Sequence, residues 1–157
     1  MKLEPIGIIH TPYKSLSDCP RQGRETDTTC EVEVFDEFEP GLTDIEGFSH
    51  LILLYWLHLG RSKDYSMMVQ TPWDREPHGL FTTRSPRRPN PIGVSVVKLL
   101  ARVDNILKVK GVDVLDGTPL IDIKPYVPQF DGADDVTIGW LEGKIEGDLD
   151  EDMYTNV

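Results

Sequence analysis

The sequence predicts a mainly β fold, a single barrel-type domain with few short helices. Three observations carry this. The apolar runs are of strand length, helical periodicity is scarce, and no GxGxxG follows the first strand signal. With 157 residues the chain can bury a core without staples, and 39% hydrophobic with 27% charged residues is an ordinary globular composition. A barrel or folded sheet is favoured over alternating α/β layers.

IGIIH (6–10), entered after Pro5, is the first strand, and CEVEVF (30–35) alternates polar and apolar as a half-buried strand does. EFEPGLTDIEGF (37–48) reads as a turn and a short helical stretch, with Thr43 or Asp44 as the cap. SHLILLYWLH (49–58) is continuously apolar and is expected at the centre of the sheet. YSMMVQTPWDREPHG (65–79), with two prolines, reads as a long excursion. LFTT, VSVVKLLARV and ILKVKGVDVL continue the strand signals, the last two joined at Asp104-Asn105. LDGTPLIDIKPYVP (115–128) holds an Asp-Gly turn, a short strand and a proline-bounded exit. The expected division is a barrel domain over 1–130 and an acidic tail over 131–157, partly packed or disordered.

The formal charge is −11, but residues 131–157 hold nine acids and one lysine, a net −8, which leaves −3 for residues 1–130. Acidity therefore weighs little against a nucleic-acid partner of the body, although phosphate contacts need positive charge. The N-terminal residues show no signal-peptide pattern and no apolar run reaches membrane-spanning length, so a cytoplasmic protein without a membrane partner is expected. Cys19 and Cys30 lack metal-ligand spacing, and His10, His50, His58 and His78 are scattered, so no metal is expected. His50 and His58, eight apart, would share one face of a strand.

Four features carry chemistry. TTRSPRRPNPIGVS (82–95) sets Arg84, Arg87 and Arg88 among three prolines. A stiff loop presents guanidinium groups to an anion at little ordering cost. The other reading is a basic turn paired with nearby acids, and proline density favours recognition. In LDGTPLIDIKPY, the Asp116-Gly117 turn either closes a plain hairpin or offers N–H groups to a ligand. Asp122 and Lys124 share one face and, with Tyr126, suit an amino-acid-like ligand or form a surface pair. CPRQGRET (19–26) is a polar loop around Arg21 and Gln22, and Tyr55, Trp56, His58 and Trp73 either stack on a base or pack in the core, with packing preferred.

Together, IGIIHTPYK, the PRQ loop, EGFSHLILLYWLH, GLFTTRSPRRPNPIGVS and LDGTPLIDIKPYVP resemble, in order and spacing, the TrmO-like (TsaA-like) family over residues 3–130. The resemblance implies a non-Rossmann β-barrel methyltransferase that uses S-adenosylmethionine. It would act as a homodimer on the exocyclic N6 of threonylcarbamoyladenosine beside the anticodon of tRNA. It carries a cofactor role onto Pro20, Arg21, Gln22, His58, Leu59, Arg84 and Val94, and onto Asp113, Val114, Leu115, Asp116 and Gly117 within 111–117. Arg87, Arg88 and Lys124 are then expected against RNA phosphates. Asp122 and Tyr126 are the candidates to take the proton of a weakly nucleophilic nitrogen. The bacterial long form of that family carries a further domain after the barrel where this sequence has an acidic tail of under thirty residues. That difference implies another way of holding tRNA, or another substrate. A methyltransferase for a different substrate and a non-catalytic S-adenosylmethionine-binding module are the alternatives.

Overall fold

A computed structural model describes residues 1–20, 27–58 and 64–145. Eight strands form: β1 (Gly7–His10), β2 (Thr29–Val34), β3 (His50–Trp56), β4 (Met68–Thr71), β5 (Asp74–Gly79), β6 (Ile92–Val103), β7 (Ile106–Lys110) and β8 (Thr118–Pro125). The only α-helix among the described residues is α1 (Pro128–Asp131), alongside several short 3-10 helices. Six strands close into an antiparallel barrel in the order β1-β2-β7-β6-β3-β8, and β4 and β5 form a separate two-stranded sheet. The mainly β reading holds.

Alternation explains the barrel. Ile9, Val32, Val34, Leu51, Leu53, Val97, Leu107, Val109 and Leu120 all point inward and are at most 1% exposed. β3 pairs with β6 and β8, as every strand of the closed barrel pairs on both sides, so it is not central in the sense its apolar continuity predicted. Its other face is not a second core, however. Ile52, Leu54 and Trp56 are half-buried on the outside of the barrel, which a closed sheet allows because only its inner face is lined by other strands.

Three local expectations need correction. The excursion at 65–79 is the β4–β5 hairpin, where Pro77 is tolerated because a two-stranded sheet has open edges. LFTT is not a strand: Leu80–Thr82 is a 3-10 turn, and the Thr82 and Thr83 hydroxyls donate back to the carbonyls of Gly79 and Leu80, both at 2.8 Å. The Asp116-Gly117 turn closes no hairpin, since the N–H of Asp116 donates to Tyr13 O (2.8 Å) and that of Gly117 to Ile9 O (2.9 Å). Between β2 and β3 the helical stretch is two 3-10 helices, Asp36–Leu42 and Ile45–Gly47, with Asp44 at the cap position of the second and φ 72°.

At one barrel wall a glycine is obligatory. A Cβ on Gly93 would lie 2.1 Å from the Tyr55 ring, and Tyr55 and Gly93 are direct partners in the β3–β6 register. Gly93→Ala is expected to cost roughly 1–3 kcal/mol as overpacking. Urea unfolding should show that loss, and in a Tyr55→Leu background the same change should cost measurably less.

Candidate functional site

Antiparallel closure sends alternate connections to the same end of the barrel. The β1–β2 connection, the exit of β3, the entry to β6 and the β7–β8 connection all lie at one end. Pro20, His58, Arg84 with Val94, and Asp113 to Gly117 therefore gather there although they span most of the sequence. Leu57 N–H donates to Pro91 O (2.8 Å), which fastens the arginine loop to the exit of β3. Arg21, Gln22 and Leu59 lie outside the described residues.

At this mouth the Tyr55 hydroxyl and Ser95 Oγ are hydrogen-bonded at 2.9 Å, with Tyr55 only 5% exposed. Burial pushes the Tyr55 phenol up to about 12. The Ser95 hydrogen bond opposes that, the negative charge of Asp113 adds to it, and the positive charge of Arg84 opposes it. Arg84 and Asp113 thus act on one buried phenol from opposite signs. Cys19, beside Pro20, has its thiol raised by burial and then by the Asp113 carboxylate, which brings the β1–β2 connection into the same group. Sequence reasoning preferred core packing for Tyr55 and missed its polar tip. The available signal was Ser95, two residues after a glycine on the strand facing Tyr55.

The segment 111–117 divides. Val112, Val114 and Leu115 are at most 8% exposed and plug the barrel end. The carbonyls of Val114 and Leu115 accept from the hydroxyls of Thr11 (2.8 Å) and Thr118 (2.6 Å). The Lys14 ammonium and then the Thr11 N–H (2.9 Å) donate to the Asp116 carboxylate, and these partners hold its carboxyl below the usual range. Buried side chains and engaged polar groups leave Val114, Leu115 and Asp116 holding the mouth together. Gly117, at φ 80°, makes the turn. Asp113 is partly exposed, and its charge acts on both Tyr55 and Cys19.

The arginine loop also divides. Arg88 donates to Thr83 O (2.9 Å) and Ser85 O (3.1 Å) and lies over the Phe81 ring at 5.8 Å, so it braces its own loop. Arg84 and Arg87 are exposed and join no ion pair among the described residues. Among the described residues, then, no acid neutralises Arg84 or Arg87.

The remaining candidates lie on the outer wall of the barrel or at its far end, Val94 at the mouth end of that wall. Val94 is 46% exposed on the outer face, opposite Leu54, which in turn faces Asp122 on β8. Two strand spacings put Asp122 about 10 Å from Val94. Its carboxylate pairs with Lys124 at 2.9 Å and accepts the Ile123 N–H at 2.9 Å, and the pair raises the Lys124 ammonium. Tyr126 is at the far end, its N–H donating to His50 O (3.1 Å) at the start of β3, roughly 20 Å of strand from Trp56. His50 and Tyr126 rings meet edge-on at 6.5 Å. Trp73 lies on the β4–β5 turn. No group of three potential metal ligands occurs among the described residues, and none of their helices is long and apolar enough to cross a membrane.

Residues 8–132 match the family described as the tRNA-methyltransferase O N-terminal domain. The chain belongs to this family. It is 54% identical over 142 residues to a probable S-adenosyl-L-methionine-binding protein of Pyrococcus abyssi, covering 90% of this chain and 76% of that protein. It is 34% identical over 150 residues to the tRNA (adenine(37)-N6)-methyltransferase of Escherichia coli strain K12, covering 90% of this chain and 64% of that enzyme. The crystal structure of TrmO from Pseudomonas aeruginosa superposes with a TM-score of 0.73 at 34% identity, over 88% of this chain and 61% of that one. The chain thus spans under two thirds of the methyltransferase and of the solved TrmO chain.

The raised Tyr55 phenol has a pH consequence. An unfolded tyrosine ionises near 10.0 while folded Tyr55 holds its proton to about 12, so ionisation favours the unfolded state in between. Stability is expected to fall as pH rises from about 10 to about 12 by an increment that Tyr55→Phe lacks, read from urea midpoints across that range.

Proposed function

We propose that this protein is an S-adenosylmethionine-dependent methyltransferase acting on tRNA, at the exocyclic N6 of the adenine beside the anticodon, in its threonylcarbamoyl form. The observation that carries the reading is that the charges of Arg84, which joins no ion pair among the described residues, and of Asp113 both act on the Tyr55–Ser95 pair at one barrel end. The names and the family of the similar proteins support it. The residues suit the cofactor because its amino-acid part bears one carboxylate and one ammonium. Arg84 would hold the carboxylate with planar, charge-assisted bonds, and Asp113 the ammonium or the ribose hydroxyls. When bound, S-adenosylmethionine supplies a methyl group on a sulfonium for in-line displacement, a reaction governed by positioning.

Tyr55 remains protonated at neutral pH and orients groups rather than accepting a proton. Of the two proton acceptors expected, Asp122 is retained, because it shares the outer face with Val94. Tyr126 is too distant within one chain. Arg87 is the RNA-facing cation of the loop, while Arg88 serves the loop itself. A second reading, an S-adenosylmethionine-binding module without catalysis, draws support from the neutralisation of Asp122 by Lys124. A cytoplasmic site of action accords with the free thiols Cys19 and Cys30.

The decisive assay tracks a labelled methyl group from S-adenosylmethionine to tRNA with and without the threonylcarbamoyl group. Transfer only to the modified tRNA is expected. Cofactor binding without any transfer would favour the module, and transfer to a different acceptor the other-substrate enzyme. In the same assay Arg84→Ala should weaken cofactor binding about 10- to 100-fold, the worth of a charge-assisted bond. Arg87→Ala should leave cofactor binding unchanged and reduce the salt slope of RNA binding by about 1.

Homodimerisation is proposed through the outer face of β3 and β6. Ile92, Val94, Val96 and Leu100 are 38–46% exposed there, beside half-buried Ile52, Leu54 and Trp56. Val96→Asp is expected to convert a dimer to a monomer in light scattering while circular dichroism stays unchanged. A dimer that persists would place the interface elsewhere.

A further inference from the structure

The segment after the family match contributes a structure of its own. Residues Gly139–Leu141 form a 3-10 turn that lies on the β4–β5 hairpin. The Trp140 indole stacks on the His78 imidazole at 3.9 Å with planes 8° apart. Its Nε1–H donates to both Thr82 O (3.2 Å) and Thr82 Oγ1 (3.1 Å). Lys144 reaches the carboxylate of Asp74, which also bonds His78 Nε2 at 2.9 Å. Asp74 and His78 are only 15% and 18% exposed at their side chains, and the carboxyl of Asp74 is held well below the usual range by Lys144 and then His78.

Thr82 stands two residues before Arg84. Its hydroxyl donates to Gly79 O while receiving the indole, and the next residue, Thr83, offers the carbonyl that Arg88 grips. The stem of the arginine loop is thus held from inside by Arg88 and from outside by Trp140. Pro86, Pro89 and Pro91 stiffen the remainder of the loop, so a shift at Thr82 passes to Arg84 as a displacement rather than being absorbed.

We propose that residues 139–145 are a strap whose Trp140 is a positioning residue for Arg84, so that the C-terminal segment sets the affinity of the barrel mouth for an anionic group. This rests on Arg84 meeting the carboxylate of S-adenosylmethionine. Trp140→Phe keeps a ring on His78 while removing the indole N–H, along with part of the stacked surface. Calorimetry on the full chain should show S-adenosylmethionine binding weakened about 2- to 10-fold by this change, the effect of one hydrogen bond. In an Arg84→Ala background the change should add nothing. Losses that multiply, or no loss, would overturn the proposal.

Hydrogen exchange on the free protein gives a readout independent of the ligand. In Trp140→Phe the amides of Thr83 and Ser85, which donate to Leu80 O and Thr83 Oγ1, should exchange faster, with β3, β6 and β8 unchanged. Unchanged exchange at those two amides sinks the strap. Failure of the unmodified protein to bind S-adenosylmethionine would instead refute the proposed function, and the exchange data alone would then decide whether Trp140 orders the loop.

Discussion

Everything at the mouth depends on the closure of the barrel, the pairing of β1 with β8. Without it, β1 and β8 would be edge strands and the connection between β7 and β8 would have no fixed partner. With it, the N–H groups of Asp116 and Gly117 find the carbonyls of Tyr13 and Ile9, and Thr11 holds both Val114 and Asp116. Closure also decides which connections meet. In an antiparallel ring of six strands, alternate connections share an end, so residues far apart in sequence become neighbours without any local signal of contact.

Charge is distributed at this end according to what each group can be released from. Asp116 and Arg88 are tied into the scaffold by groups of their own surroundings. Arg84 is tied to no acid among the described residues, and burial holds the nearby phenol neutral. A free guanidinium near a low-dielectric wall binds an anion more strongly than one in open solvent, because less water competes for it.

How much was legible in the sequence depends on the range of each interaction. β2 and β3 were readable because alternation and apolar continuity are local, and the barrel followed from the number of strand signals. The β4–β5 hairpin was not, because its residues are polar and interrupted by Pro72 and Pro77. Its stabilising contacts come from Trp140 and Lys144, some sixty to seventy residues away. At the site, the Arg84 loop announced itself by composition. The separation of Arg88 from Arg84 and Arg87 did not, because it depends on which carbonyls the folded loop turns towards each guanidinium. Tyr55 was legible as a core residue and illegible as a polar one, since the hydroxyl needs Ser95 across a strand pair that the sequence does not specify.

The two faces of β3 and β6 serve opposite purposes, and a single glycine reconciles them. Inward, Gly93 makes room for the Tyr55 ring, which brings the hydroxyl to Ser95 at the mouth. Outward, its neighbours Ile92 and Val94 are exposed apolar residues. A larger residue at 93 would push the ring away and tilt the strand, moving both Ser95 inside and Val94 outside. The polar mouth and the apolar outer face are therefore coupled through one backbone position. A substitution at this position would disturb both faces at once, because the strand packs directly on the Tyr55 ring.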